Sequence, residues 1–277
     1  MTSSTTPRGI KVLAYHRIVD DERLAGTNWM CVHVDQFYQH LKWIEQLGYT
    51  AITFEDYWLY MIDELQLPRK PIIITFDDGY EEIYKLARPI LQEFGMRAVL
   101  FVLGNRNVRE NEWDKKIGLP AATLLNDNQI VELYEDGFEI GAHTLNHVCL
   151  PQLPPVEAWK EIYDSKKNLE SLINGRVYSF SYPYGAVTDD IQDMVAQIGF
   201  FFGCSIFTGP PQFARNPLQI RRLTIAGGSL GLGLRLITPY EYAEWSWWRF
   251  RSALHSEEEL LNQIPEDKSP VDSTVDV

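Results

Sequence analysis

The sequence predicts an α/β protein built on a parallel sheet, closed or open, and three observations predict it. The chain has 277 residues, the span of one large α/β barrel. Eight short runs rich in β-branched and aromatic residues are spread along it. Between them lie segments with apolar residues at helical spacing, and regular strand–helix alternation is the pattern of βαβ units. Eight strands is a barrel-like number.

The elements follow in order. Residues 11–18 alternate so that Val12, Ala14 and His16 share one strand face. A helix is expected over 34–47, with Asp35 near its start and Gly48 after its end. Strand 50–54 and helix 55–65 come next, then the continuous apolar run 71–76, which reads as a buried parallel strand. Helix 81–94 closes at Gly95 and strand 97–103 follows. Helix 126–136 is bounded by Asp127 and Gly137, and leads to strand 138–143. Helix 156–173, strand 177–182, helix 189–198 ending before Gly199, and strands 200–207 and 219–225 complete the set. No internal repeat interrupts it.

Composition excludes several classes. Hydrophobic residues make up 45% and charged residues 23%, so a sizeable core is available and wholesale disorder is not expected. The net charge of −13 repels phosphate backbones and anionic membrane surfaces, which argues against nucleic acid as a partner. Seven acids against Lys268 load the stretch 256–277, which reads as a disordered acidic tail. Cys31, Cys149 and Cys204 are widely spaced and predict neither a disulfide framework nor a cysteine zinc site. No run approaches the roughly 18 apolar residues of a membrane span, and the first ten residues lack a signal-like apolar core. As it stands the chain is expected in the cytoplasm; a trimmed leader would make it secreted or envelope-associated.

Three segments could carry chemistry. The run 71–79 delivers adjacent carboxylates, Asp77 and Asp78, to Gly79 at the carboxyl end of a strand, where α/β folds place ligands. A plain Asp-Gly turn is the competing reading. On a regular strand the two would face opposite ways, so Gly79 must permit a turn. Second, His143 and His147 lie four apart in a polar loop, a spacing at which two imidazoles can share one cation with a carboxylate. Thr144 stands where a zinc protease needs glutamate, so this is no His-Glu-x-x-His motif. Third, Tyr182, Pro183, Tyr184 and Gly185 end a strand in an aromatic turn, suited to packing on a sugar ring or to plain core packing.

These segments, in this order, resemble the polysaccharide deacetylases of carbohydrate esterase family four, also called the chitooligosaccharide-deacetylase homology domain. The resemblance spans about residues 11 to 225. The opening 12–18, with Tyr15 and His16, is most similar to the branch that deacetylates poly-N-acetylglucosamine. It implies a distorted (β/α)7, TIM-like barrel over 11–255 after a flexible 1–10, acting as a hydrolase that removes N-acetyl groups from an N-acetylhexosamine glycan and releases acetate. It implies one divalent metal, zinc foremost with cobalt or nickel as alternatives, held by Asp78, His143 and His147. Asp77 would be the general base, the Tyr184 backbone N–H would hold the oxyanion, and Tyr182, Pro183 and Tyr184 would contact substrate. Thr144 would steady the histidine loop. An amidase for a small acetamide and a weakly active glycan-binding homologue are the alternatives.

The resemblance has two departures. Many relatives carry an arginine two residues before the proline to orient the base, and Ser181 stands there. Many take the general acid from a late Leu-x-His motif, and the one histidine after His147 is His255 beside the tail. His16, at the far end of the first strand on the face shared with Val12 and Ala14, is the candidate acid, with an ordinary buried histidine as the other reading. Arg221 or Arg222 could enter the site in place of the missing arginine, or form a solvated pair. His33 and His40 receive no role. The aromatic stretch 239–250 reads as a closing helix or an interfacial face. The sequence sets no oligomeric state.

Overall fold

A computed structural model of the chain describes residues 9–226 apart from positions 29, 211, 212 and 214, and in addition 232, 236 and 237. The expectations for 239–250 and for the tail 256–277 lie outside the described residues, as does most of 1–10. β1 (Lys11–Tyr15) is followed by β2 (Arg17–Val19), α1 (Glu22–Thr27) and β3 (Cys31–His33). α2 (Val34–Gln46), β4 (Thr50–Ile52) and α3 (Phe54–Met61) come next, then β5 (Pro71–Phe76). A wide helical turn over Ile83–Ala87 opens into α4 (Arg88–Glu93). After β6 (Val99–Val102) and a tight turn over Glu112–Ile117 come α5 (Asp127–Glu135) and β7 (Glu139–Ala142). α6 (Pro155–Ile173), β8 (Ser179–Ser181), α7 (Asp189–Ile198), β9 (Phe202–Cys204) and β10 (Leu223–Thr224) complete the order.

All pairings in the main sheet are parallel, in the order β10, β1, β5, β6, β7, β8, β9, and β4 takes the lower half of the β5 edge. The chain from Pro217 to Ile220 then hydrogen-bonds to β9 through Gly203 and Ser205 and runs on into β10 beside β1, which curls the sheet into a barrel. Each expected strand is present. The expected strand 11–18 divides at His16, because Tyr15 still bonds toward β5 whereas Arg17 turns to Met30 and β2 pairs with β3 as a separate ribbon. The expected helix 81–94 starts as a wide turn because Pro89 lacks an N–H and crowds the turn before it.

Alternation sorts the strand residues into two cores. Val12, Ile73, Val99, Phe101 and Phe202 face inward, joined by Phe54 of α3. Leu13, Ile72, Ile74, Phe76, Leu100 and Ile140 face outward and pack on Phe37, Leu41, Leu133, Ile162 and Leu169 of the helices. Burying each such side chain contributes about 1.5–3 kcal/mol. The inward row of β7 reads Glu139, Gly141, His143. A Cβ at Gly141 would lie 2.5 Å from the Phe101 ring and 2.8 Å from Ser179 Oγ, so only hydrogen fits. The same row therefore carries one polar residue low in the barrel and one at the rim, where the carboxyl ends of the strands gather.

Candidate active site

Asp77 and Asp78 leave β5 on a left-handed kink: Asp78 has φ 71° and Gly79 φ 75°. This turn is what lets adjacent carboxylates serve one site despite strand alternation. Only glycine suits position 79, since a Cβ there would meet Val102 Cγ1 at 2.9 Å. Thr144, His147 and Tyr184 are also left-handed, at φ 61°, 57° and 62°. Such residues cost of order 1–3 kcal/mol each and persist where the surroundings hold them.

The histidine loop is held from outside its own motif. Thr144 C=O accepts the Gly104 N–H, and the Glu161 carboxylate on α6 accepts the N–H groups of Leu145 and Asn146 at 2.9 Å each. Glu161, rather than the Thr144 side chain, fixes the loop. His143 Nδ1 lies 2.7 Å from the Ser181 carbonyl. A carbonyl only accepts, so Nδ1 carries a proton and, in the neutral ring, Nε2 presents a lone pair. His143 Nε2 and His147 Nε2 approach the same Asp78 oxygen, Oδ1, at 3.2 and 3.1 Å, with all three residues buried. Three donor atoms converging within 4.8 Å of one another form the chemistry of a divalent-cation site with imidazole and carboxylate ligands. A lone pair aimed at a carboxylate oxygen gains nothing unless a proton or a metal cation lies between them.

Asp77 is paired differently. Arg222, fully buried, donates from Nη1 and Nη2 to Oδ1 and Oδ2 at 2.6 Å each. The guanidinium is itself fixed by Thr75 Oγ1, Ser181 Oγ and the Ser205 carbonyl, each at 3.0 Å. Burial would push the Asp77 carboxyl up, and the Arg222 charge and hydrogen bonds hold it below the ordinary carboxylate range. Arg222 thus stands where the third motif lacks its arginine. Ser181 leaves room for it and accepts one of its bonds. Arg221 remains partly exposed.

His16 is buried at the end of β1, in the neighbourhood of Asp77 and Asp78. Tyr182 and Pro183, expected against substrate, are both buried: the Tyr182 ring lies in the outer core and its hydroxyl donates to the Leu218 carbonyl at 2.8 Å. Tyr184 is 58% exposed and meets the His147 ring edge-on at 4.9 Å between centroids. Trp113 stacks on the same His147 ring at 4.2 Å between centroids. His33 caps α2, and His40 is buried against the Tyr15 hydroxyl and pushed down to about 4 by that burial. Sequence reading missed Trp113, Glu161, Asp114 and Tyr80; the first three lie outside the motifs and only the fold brings them here, whereas Tyr80 directly follows Gly79.

The family profile for polysaccharide deacetylases matches residues 64–203. The chain belongs to this family. Among polysaccharide deacetylases and their relatives, it is 27% identical over 225 residues to the presumed polysaccharide deacetylase YxkH of Bacillus subtilis (strain 168), covering 81% of this chain and 74% of that one. It is 24% identical over 204 residues to a poly-beta-1,6-N-acetyl-D-glucosamine N-deacetylase of Staphylococcus aureus (strain MSSA476), covering 70% and 68%. The solved structure of the Streptococcus pyogenes deacetylase PplD in complex with acetate superposes with a TM-score of 0.70 at 26% identity, over 85% of this chain and 99% of that one. This protein is accordingly a deacetylase of the polysaccharide type. No helix among the described residues is long and apolar enough to cross a membrane.

Proposed function

We propose that the protein removes N-acetyl groups from an N-acetylglucosamine-type poly- or oligosaccharide, with one divalent metal, zinc first, at Asp78, His143 and His147. The observation that carries this reading is the convergence of both Nε2 atoms on Asp78 Oδ1 beside a separately paired Asp77. The name of the Staphylococcus aureus relative supports the substrate class. When bound, the cation supplies a Lewis acid for the acetamide carbonyl and makes water more acidic.

The chain's own residues then divide the work. Asp77 takes a proton from the attacking water as its oxygen bonds the acetyl carbon. A base held low in pKa is weak, and its value here lies in being ionised and fixed in place. Arg222 positions it through two bonds. The Tyr184 backbone N–H, on its left-handed turn, donates to the developing oxyanion. The C–N bond breaks as His16 gives a proton to the leaving nitrogen, and the products are acetate and a free amine. Tyr184, exposed beside His147, offers a ring face to the sugar.

The test is acetate release from β-1,4- and β-1,6-linked N-acetylglucosamine oligomers by metal-stripped protein, before and after zinc, cobalt or nickel is returned. Release restored by metal is the expected result. No release from any oligomer, with one metal bound per chain, would contradict the substrate class and point to a small-acetamide amidase or a binding homologue.

A further inference from the structure

His143 and His147 are both buried with Nε2 beside Asp78 Oδ1, yet their other ring nitrogens are held differently. Nδ1 of His143 has the Ser181 carbonyl at 2.7 Å, whereas Nδ1 of His147 is buried with no hydrogen-bond partner among the described residues. Imidazole ligands almost always have that second nitrogen fixed by an outer acceptor. His147 has aromatic neighbours instead. The Trp113 indole lies over its ring, 4.2 Å between centroids and 19° from parallel, while Tyr184 and His143 meet the ring at 67° and 62°. Of these three neighbours only Trp113 is stacked.

Trp113 comes from the loop between β6 and α5, outside the motifs, and that loop is clamped on both sides of it. Asn111 before it and Asp114 after it are buried. Asn111 Oδ1 accepts the Ala122 N–H at 2.5 Å, its own N–H bonds the Ala122 carbonyl, and its Nδ2 donates to Asp114 Oδ2 at 2.6 Å. The Tyr80 hydroxyl donates to the same oxygen. Oδ2 accepts both bonds whether or not the other oxygen carries a proton, so the clamp does not depend on the charge of Asp114. The indole N–H itself is buried with no partner among the described residues, and an unpaired buried donor is costly. The ring is held in place by its turn and its stacking contact rather than by a hydrogen bond of its own.

A metal-bound imidazole is electron-poor, and an electron-poor ring is attracted to the negative face of an indole. We propose that Trp113 is a positioning residue for the metal centre: its indole face sets the plane of the His147 ring so that Nε2 points at the cation, in place of the hydrogen bond that His143 makes to Ser181. This rests on the metal reading given above. Trp113 acts through His147.

The experiment is zinc titration of the metal-stripped full-length protein against a chromophoric competing chelator, for wild type, Trp113→Phe and Trp113→Leu. Visible spectra of the cobalt-loaded proteins and thermal melts of the metal-free ones are recorded in parallel. Trp113→Leu should bind zinc about tenfold more weakly, with shifted cobalt bands, while Trp113→Phe keeps a ring on His147 and stays within about threefold of wild type. Wild-type affinity and cobalt bands in a folded Trp113→Leu, or equal weakening in both variants, would overturn the inference while leaving the metal site standing. Should Trp113→Leu not fold, wild type labelled at its indole nitrogens decides. The indole resonance missing from the spectrum of Trp113→Phe must move when zinc is added, and an unmoved resonance would overturn the inference. Absence of zinc uptake by the wild type would overturn the metal site itself and this inference with it.

Discussion

Asp77, at the carboxyl end of β5, and Glu139, at the start of β7, are both buried carboxylates of the same barrel, and they meet opposite fates. Asp77 receives two N–H bonds from a buried guanidinium and is held below the ordinary range. Glu139 receives the Ser179 hydroxyl at 2.5 Å and the Glu55 N–H at 2.8 Å, both dipoles, and burial pushes it up to about 7. Glu55, also raised by burial, adds like charge nearby. Burial is shared, so it does not decide ionisation; the presence of a fixed counter-charge does. At the rim the fold keeps a charged carboxylate, and low in the barrel it holds an acid that is neutral through much of the ordinary pH range.

The largest effect expected from breaking this contrast is at Arg222. Arg222→Met strands a buried carboxylate, and loss of about 3–5 kcal/mol in stability is expected by denaturant melts. Burial then acts on Asp77 without opposition, so the acid limb of kcat/KM moves to higher pH. An unmoved acid limb in a folded variant would show that Arg222 does not set the state of Asp77.

A smaller effect, with the opposite pH dependence, belongs to Glu139. Its folded value, about 7, lies above its unfolded value near 4.5. The stabilisation from its protonated form is therefore complete below about pH 4.5 and lost as pH rises through 7, up to about 3 kcal/mol. Glu139→Gln should flatten stability between pH 5 and 8 while wild type declines. Parallel declines in both proteins would remove Glu139 from the account.

How much of this was legible in the sequence varies by element. The strands could be read because buried parallel strands are continuous apolar runs, as in 71–76, with glycines punctuating the helices. The ribbon of β2 and β3 could not, since three-residue strands carry no period. His143, His147 and the two aspartates were visible as local spacings. That Asp78 would turn beside Asp77 depends on two consecutive left-handed residues, which the Asp-Gly pair permits but does not require. Arg222 is 145 positions from Asp77, and at that separation only barrel closure through β10 brings it in. Tyr182 looked like a substrate contact because aromatic residues suit sugars and cores equally; strand alternation sends it to the core.

The central claim is that Asp77 moves the proton while Asp78, His143 and His147 hold the cation. Metal content and turnover of Asp77→Asn, measured on the same preparation, test it most directly. The account predicts one metal per chain, as in wild type, with acetate release lowered by about 10²–10⁴-fold. Retained turnover with full metal content would contradict it and move the base to another group.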